Sequence, residues 1–530
     1  STRALPVSSF GLALGIGALC TAVAATRFRW RALAVPAAVA LAVVNLPALF
    51  TGDLVDPALA RQQDPPAAWT EAAATLDQTS LEHRVLQLPG SEFGAFDWGY
   101  TVDPPLPGLT KKPLITRDLL PLGSAGMMDL LYALDDRVQQ SILDPQSLSA
   151  TASLLAADTV WLANDLASER FRTPHAAVAA ASVMAGTRGD VLAIGTPTYH
   201  EPKVPWLDEH SLAGDDAMPL PPVYLVDLPG TQSIIRTKQR TDIVVGSGDG
   251  VIDAAAAGLL NGNEAVVYSA DQFASPTGPL AHVAPSLVVL TDSNRARAHH
   301  WRGSKDVTGF TESGCCTTDV LKPDEGDQRL PLFGPTPNHL DETTATLDTG
   351  LRVTASSYGE PFAYRPEQRP AMAVDGNLDT AWVVGDRANP VGEYLVVSKA
   401  SGTLQLRQAD RSNAAFTANR MITRVRLTSG DGRSRSVQLT GDSLIGSGQV
   451  VPIPGTGSLT IRIEAVAERT GGTDTGPSGV GFAELGLGEN HEVVATPRLP
   501  ASATTTPMAV VLTRLRVDPE DRWRSDPEPT

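Results

Sequence analysis

Two apolar stretches, residues 7–26 and 32–50, open the chain and flank Arg27-Phe-Arg-Trp-Arg31. Each has about the 20 residues that a helix needs to cross a bilayer core at 1.5 Å per residue. Short loops rich in Arg stay on the cytoplasmic side, so the sequence predicts a transmembrane helical hairpin over residues 1–51 with everything after Phe50 extracytoplasmic. Gly11, Gly15, Gly17 and Ala18 give the first helix a small-residue face, while Pro36, Asn45 and Pro47 interrupt the second. Helices of this kind pack against other helices, so the pair is expected to belong to a larger membrane domain. The competing reading is a cleaved signal peptide, with Arg3 as its charged end and Ala22-Val-Ala24 as the cleavage site. It leaves the second apolar run without a role. The first residue is Ser1 rather than Met, and Val511–Asp518 reads as the opening strand of another domain, so truncation is expected at both ends.

Beyond the hairpin the chain is long enough for several folded units, since 530 residues exceed the usual domain size. Apolar residues at 42%, charged ones at 19%, 46 Gly and 41 Pro describe loop-rich globular material rather than disorder. A net charge of −17 with no offsetting basic stripe argues against nucleic acid as a partner. Three cysteines are too few for a disulfide scaffold. Cys315 and Cys316 are adjacent, and either a vicinal disulfide or two thiols fits the sequence.

Residues 52–345 read as an extracytoplasmic α/β domain. A helix over 67–76 precedes a strand at 84–88, and further strands are predicted at 159–162, 191–194, 223–226, 243–245, 265–268 and 287–290. Helices are predicted between them, at 125–140 and 252–260 among others. Short apolar strands alternating with helices predict a mostly parallel sheet covered on both faces. Gly246-Ser-Gly-Asp-Gly250 stands where a phosphate-cradling loop would be. Its glycines run G-x-G-x-G, so a structural turn capped by Ser247 or Asp249 is the preferred reading. His299-His300 beside Arg295, Arg297 and Arg302 reads as a solvated helix end, with contact to an anionic phosphate as the alternative, and His200 and His210 around Trp206 show no metal spacing.

The densest chemistry lies in residues 88–104, which carry Glu92, Asp97 and Asp103 among Phe93, Phe96, Trp98 and Tyr100. Aromatic faces grip the C–H face of a sugar ring and carboxylates accept its hydroxyls. Glu92, Asp97, Trp98, Tyr100 and Asp103 are therefore the candidate substrate contacts. The alternative is an Ω-type loop with its aromatics turned inward.

From residue 346 to 490 the helical period gives way to short alternating segments separated by turns, the pattern of an antiparallel β-sandwich. Thr354-Ala-Ser-Ser-Tyr358, Pro370-Ala-Met-Ala-Val-Asp-Gly-Asn-Leu-Asp-Thr-Ala-Trp382, Gly392-Glu-Tyr-Leu395 and Gly479-Val-Gly-Phe-Ala-Glu484 resemble the coagulation factor 5/8 type C, or discoidin, family of galactose-binding-like jelly rolls. That resemblance implies a structural calcium site formed by the Asp375 carboxylate, the Asn377 backbone, Thr380, the Ala483 carbonyl and the Glu484 carboxylate. It also implies ligand-contacting loops, for which Tyr358, Phe362, Tyr364 and Arg365 are the candidates, with Arg387 and Phe416 behind them. Trp382 is expected in the core. Residues 491–530 are expected to be a linker and the start of a further domain.

The order of parts (membrane helices, the acid–aromatic segment, an α/β domain, a discoidin-like module) resembles the middle of the large mycobacterial α-(1→3)-arabinofuranosyltransferases. That resemblance implies a GT-C membrane glycosyltransferase taking arabinofuranose from decaprenyl-phospho-arabinose, a polyprenyl-phosphate donor, to a cell-wall arabinan acceptor at the outer face of the plasma membrane. In GT-C enzymes the base that deprotonates the acceptor lies in the first extracytoplasmic loop, so no catalytic residue is assigned within this chain. A divalent cation, if used, would belong to that same outlying part. Two other classes stay open: a non-catalytic membrane-tethered polysaccharide-binding or assembly protein, and a hydrolase with a carboxylate pair in the α/β domain.

Overall fold

The computed structural model describes residues 64–91, 94–117, 123–139, 142–167, 176–198, 219–275, 277–294, 311–312, 330–336, 338–348, 350–359, 368–385, 389–409, 420–468, 479–487, 494–504 and 508–512, with scattered positions between 15 and 43. Residues 1–63 and 64–530 form two compact units. Most of the two apolar runs lies outside the described residues, and among those described no helix is long and apolar enough to cross a membrane. Helical bonding is present at Thr21, whose hydroxyl donates to the Gly17 carbonyl at 2.8 Å.

In the second unit, helix α1 (Ala67–Leu76) and strands β1 (Arg84–Leu88), β2 (Gly94–Phe96), β3 (Gly99–Val102) and β4 (Leu114–Ile115) come first. They are followed by α2 (Ala125–Gln139), α3 (Pro145–Leu154), β5 (Ala157–Ala163), α4 (Ala176–Ala185), β6 (Val191–Ile194) and β7 (Val223–Asp227). These build a five-stranded sheet in the order β4-β1-β5-β7-β6. Strand alternation decides which residue faces which layer. Val85, Trp161, Ala163, Val223 and Leu225 pack with α1 through Trp69, Ala72 and Leu76. Their neighbours Leu86, Leu88, Val160, Leu162 and Val226 join the cluster built by α2, α3 and α4. Both faces are covered, as the apolar strands require. The expectation of one mostly parallel sheet needs correction, because β7 runs antiparallel to both β5 and β6.

The remaining α/β strands form a second, all-parallel sheet. Strand β8 (Thr241–Val245), helix α5 (Gly248–Ala256), β9 (Ala265–Tyr268), α6 (Ser269–Ala274) and β10 (Leu287–Thr291) follow in order. The sheet order is β23-β10-β8-β9, where β23 is Ala509–Val511, and each neighbouring pair is parallel. Helix α5 begins at residue 248, earlier than the predicted 252, because the glycines are its first turn. An added Cβ at Gly248 would come within 2.6 Å of Asp129 backbone atoms, and one at Gly250 within 2.5 Å of the Thr291 hydroxyl. The loop is a close-packing turn, as preferred. The expected cap is corrected: Ser247 makes no side-chain cap, and the Gly248 N–H donates instead to the Asp129 carboxylate on α2. Arg137 of α2 ties the same helix, bonding Asp249 at 3.1 Å and Asp253 at 2.5 Å, all three buried.

Strands β11 (Thr311–Glu312) and β12 (Thr344–Asp348) lead into the sandwich. One sheet orders β13 (Val353–Ala355), β15 (Tyr394–Ala400), β20 (Gly457–Glu468), β17 (Arg420–Ser429) and β18 (Ser434–Gln438). The other orders β14 (Trp382–Val383), β21 (Gly481–Gly486), β16 (Thr403–Gln408) and β19 (Gln449–Pro452). All pairings are antiparallel, and inward Val397, Leu406, Val425, Leu427, Ile461 and Leu485 fill one core. After the sandwich, β22 (Val494–Arg498) pairs with β12 and β23 with β10. The expectation that residues 491–530 are a linker and the start of another domain is thus corrected for 494–498 and 509–511, which complete sheets begun before the sandwich.

Candidate functional site

The acid–aromatic segment leaves the sheet at the end of β1 and is held there by α2. The Gly90 N–H donates to Asp135 Oδ1 at 2.6 Å, and Gln139 Nε2 donates to the Gly90 carbonyl at 2.8 Å. Arg117, just past β4, bonds Asp135 at 3.1 Å and lies over the Tyr132 ring. Beyond residues 92 and 93 the chain makes the β2–β3 hairpin with Asp97 and Trp98 at its turn. An added Cβ at Gly94 would come within 2.0 Å of the Thr101 hydroxyl, so the hairpin needs glycine there.

Three tryptophans and Phe96 converge under this turn. Trp98 stacks on Phe96 with centroids 4.9 Å apart and planes 2° apart. Trp69 of α1 meets Phe96 edge-on at 4.9 Å and Trp98 at 5.9 Å, and Trp161 of β5 lies 5.1 Å from Trp69. Trp69 and Trp161 are wholly buried, whereas Trp98 and Asp97 are half-buried. At the centre is Asp165, two residues after β5. Its Oδ2 accepts both indole N–H groups, from Trp69 at 2.8 Å and Trp98 at 3.0 Å. Its carbonyl accepts the Asp97 N–H at 2.8 Å. Burial lifts the Asp165 carboxyl to about 7, the nearby Asp97 charge adds to the rise, and the two indole bonds oppose it.

Of the five predicted substrate contacts, the structure brings Asp97 and Trp98 into this corner. Asp103 is exposed, and its carbonyl accepts the Thr101 hydroxyl at 2.6 Å. Tyr100 falls within β3, and Glu92 lies outside the described residues. Asp165, Trp69 and Trp161 were not among the predicted site residues. A signal was present: Asp165 follows a parallel strand, and α/β sheets present ligand sites at the carboxyl ends of their strands. The first turns after β1, β4 and β5 all meet on that edge.

The sandwich holds a second carboxylate pair. Asp375 Oδ1 accepts the Asn377 N–H at 3.0 Å and its Oδ2 accepts the Thr380 hydroxyl at 2.6 Å. Glu484, on β21, accepts the Gly376 N–H at 2.9 Å, and Ala483 beside it is buried. The five predicted calcium ligands thus lie on one loop and the strand joined to it. Burial lifts Glu484 to about 7, with the Asp375 charge adding to the rise, and burial also raises Asp375. Among the described residues no group of three or more His, Cys, Asp or Glu can hold a metal. Any cation here would complete its shell with carbonyl and hydroxyl oxygens, which suits a hard ion.

The predicted ligand loops fare differently. Tyr358 is corrected: it is buried in the sandwich core rather than offered to a ligand. Phe362, Tyr364, Arg365, Arg387 and Phe416 lie outside the described residues. Trp382 is fully buried, as expected, with its indole N–H donating to the Ser357 carbonyl at 3.0 Å.

The fold is that of a multidomain protein that joins α/β sheets to an antiparallel sandwich. Residues 4–314 match the family model of the alpha-(1->3)-arabinofuranosyltransferase N-terminal GT-C domain, and the chain belongs to that family. It is 25% identical over 490 residues to an alpha-(1->3)-arabinofuranosyltransferase of Mycolicibacterium smegmatis, covering 84% of this chain and 31% of the relative. The corresponding Mycobacterium tuberculosis protein is 28% identical over 439 residues, covering 74% of this chain and 29% of the relative. The chain therefore spans about a third of the length of these relatives. Among solved structures, the cryo-EM structure of arabinofuranosyltransferase AftD from Mycobacteria superposes with a TM-score of 0.57 at 19% identity, covering 89% of this chain and 35% of that one. At that identity the likeness is one of fold.

Proposed function

We propose that this chain is the part of a membrane glycosyltransferase that holds glycan while arabinofuranose passes from decaprenyl-phospho-arabinose to cell-wall arabinan. The observation that carries the reading is the family match over residues 4–314, together with the carboxylate–aromatic corner on the ligand-binding edge of the first sheet. Asp97 and Trp98 contact acceptor sugar there, one by hydrogen bonding and the other by stacking. The base that activates the acceptor hydroxyl lies outside the residues assigned here. The two apolar runs cross the plasma membrane and the Arg27–Arg31 loop stays inside, so the folded units stand on the extracytoplasmic face. In the sandwich, calcium held by Asp375, Asn377, Thr380, Ala483 and Glu484 pins the loop 375–380 to β21. It offsets the burial that lifts both carboxylates, and its role is structural.

The test uses the protein in its own membranes. Labelled arabinofuranose from a decaprenyl-phosphate donor should enter an arabinan acceptor, and Trp98→Ala should lower that transfer about tenfold or more at unchanged protein level, a loss of roughly 1.4 kcal/mol. Absence of transfer by the intact protein would sink the enzymatic reading. Full transfer by the variant would remove this corner from the substrate path.

A further inference from the structure

We propose that Asp165 is the positioning residue of a sugar-binding platform: by accepting the indole N–H groups of Trp69 and Trp98 on one oxygen, it fixes the Trp98 ring and sets Asp97 beside it for a furanosyl ligand. This rests on the reading that the Asp97–Trp98 turn meets glycan. The geometry holds Trp98 from three directions. Its N–H edge is bound to Asp165 at 3.0 Å, one face lies on Phe96, and the Trp69 ring meets it edge-on. The ring is nevertheless only partly buried, while Trp69 and Trp161 beneath it are wholly buried. The turn itself is tied to the same strand end, through Asp97 N–H to the Asp165 carbonyl and Ala167 N–H to the Ala95 carbonyl at 3.1 Å. A surface aromatic held in this way loses little further freedom when it stacks on a sugar, and that preorganisation is worth affinity.

A purely structural acceptor for two indoles would not need charge, since a neutral amide oxygen can take both bonds. A carboxyl in this place is expensive: it is 7% exposed, its Oδ1 has no hydrogen-bond partner among the described residues, and Asp97 carries a like charge nearby. Among the described residues the groups that face it are Trp69 from α1 and Trp98 and Asp97 from the hairpin, and Asp97 is the other carboxyl among them. Charge-assisted bonds are roughly twice as strong as neutral ones, so ionisation near neutral pH tightens the hold on Trp98. Platform order and ligand affinity should follow that ionisation.

The experiment titrates the full chain with an arabinofuranosyl oligosaccharide at pH 6 and pH 8, by calorimetry and by the indole N–H resonances. Wild type should bind more tightly at pH 8, and the Trp98 indole signal should shift with a midpoint near 7. Asp165→Ala should lose affinity about as far as Trp98→Ala, about tenfold. Asp165→Asn, which keeps an oxygen acceptor, should bind within about threefold of wild type and lose the pH difference. Wild-type affinity in Asp165→Ala, or an undiminished pH difference in Asp165→Asn, overturns the positioning role even if Trp98→Ala fails to bind. Normal binding by both Trp98→Ala and Asp97→Asn, or none by wild type, sinks the glycan reading instead. Should Asp165→Ala fail to fold, the Asp165→Asn resonance decides, and a titration identical to wild type overturns the proposal.

Discussion

Asp165 in the α/β region and Glu484 in the sandwich are both lifted to about 7 by burial, with a second aspartate adding to each. Their surroundings differ in kind. Asp165 is walled by indole rings, which donate hydrogen bonds but supply no metal ligand. Glu484 accepts the Gly376 N–H of a loop in which the Thr380 hydroxyl meets oxygens of Asp375 and Asn377. On the proposed reading the same desolvation has two remedies: a proton or a neutralised environment in the first place, a hard cation in the second. The carboxylates alone do not distinguish them. The atoms around them do.

That contrast can be broken experimentally, and the largest effect should come from the aromatic wall. Trp69→Ala removes a fully buried ring and should cost about 3–5 kcal/mol of unfolding free energy in a denaturant titration. A loss confined to the sandwich transition would show that the two regions are not separable in this way.

Next is the pH dependence of Asp165. Its folded carboxyl is raised, so its contribution to stability is fully present below about pH 4 and is lost as pH rises towards 7. The gap from 3.8 to about 7 corresponds to roughly 4 kcal/mol at most. Asp165→Asn should therefore melt higher than wild type at pH 8 and alike at pH 4. Parallel melting curves at both values would mean that the carboxyl is not desolvated.

Calcium should act on the other region only. At a hundredfold excess over its dissociation constant it would stabilise the sandwich by about 2.7 kcal/mol. Glu484 and Asp375 are likewise raised, so without a cation the sandwich loses stability as pH climbs from about 4.5 to about 7. Calcium should restore that loss, more at pH 8 than at pH 5, and Glu484→Gln or Asp375→Asn should abolish the effect. A melt indifferent to calcium in wild type would remove the metal from this site. The smallest change is expected from exposed Asp103, where Asp103→Asn should stay within about 0.5 kcal/mol by the same titration. A larger loss would extend the corner beyond the turn.

The alternation of apolar residues was enough to locate most strands, and β1, β6 and β9 fall on the residues read from sequence. The turn from Asp375 to Thr380 was legible in its residue types, whereas its neighbour Glu484, 108 residues from Gly376, was named only through the discoidin resemblance. Three things were not. Asp165 lies 96 residues from Trp69 and 67 from Trp98, so they become neighbours through the parallel pairing of β1 with β5 and the packing of α1 on that sheet. Tyr358 carries the composition of a binding aromatic, yet packing turned it into the core. The segment 509–511 joins β10 across the whole sandwich, a pairing that no local pattern records. Sequence by itself determined which residues want burial and where the chain turns, since those follow from side-chain hydrophobicity and backbone preference within a few residues. Only the tertiary structure decided which distant charges share one desolvated space, because that depends on how sheets are ordered and on what is left between them.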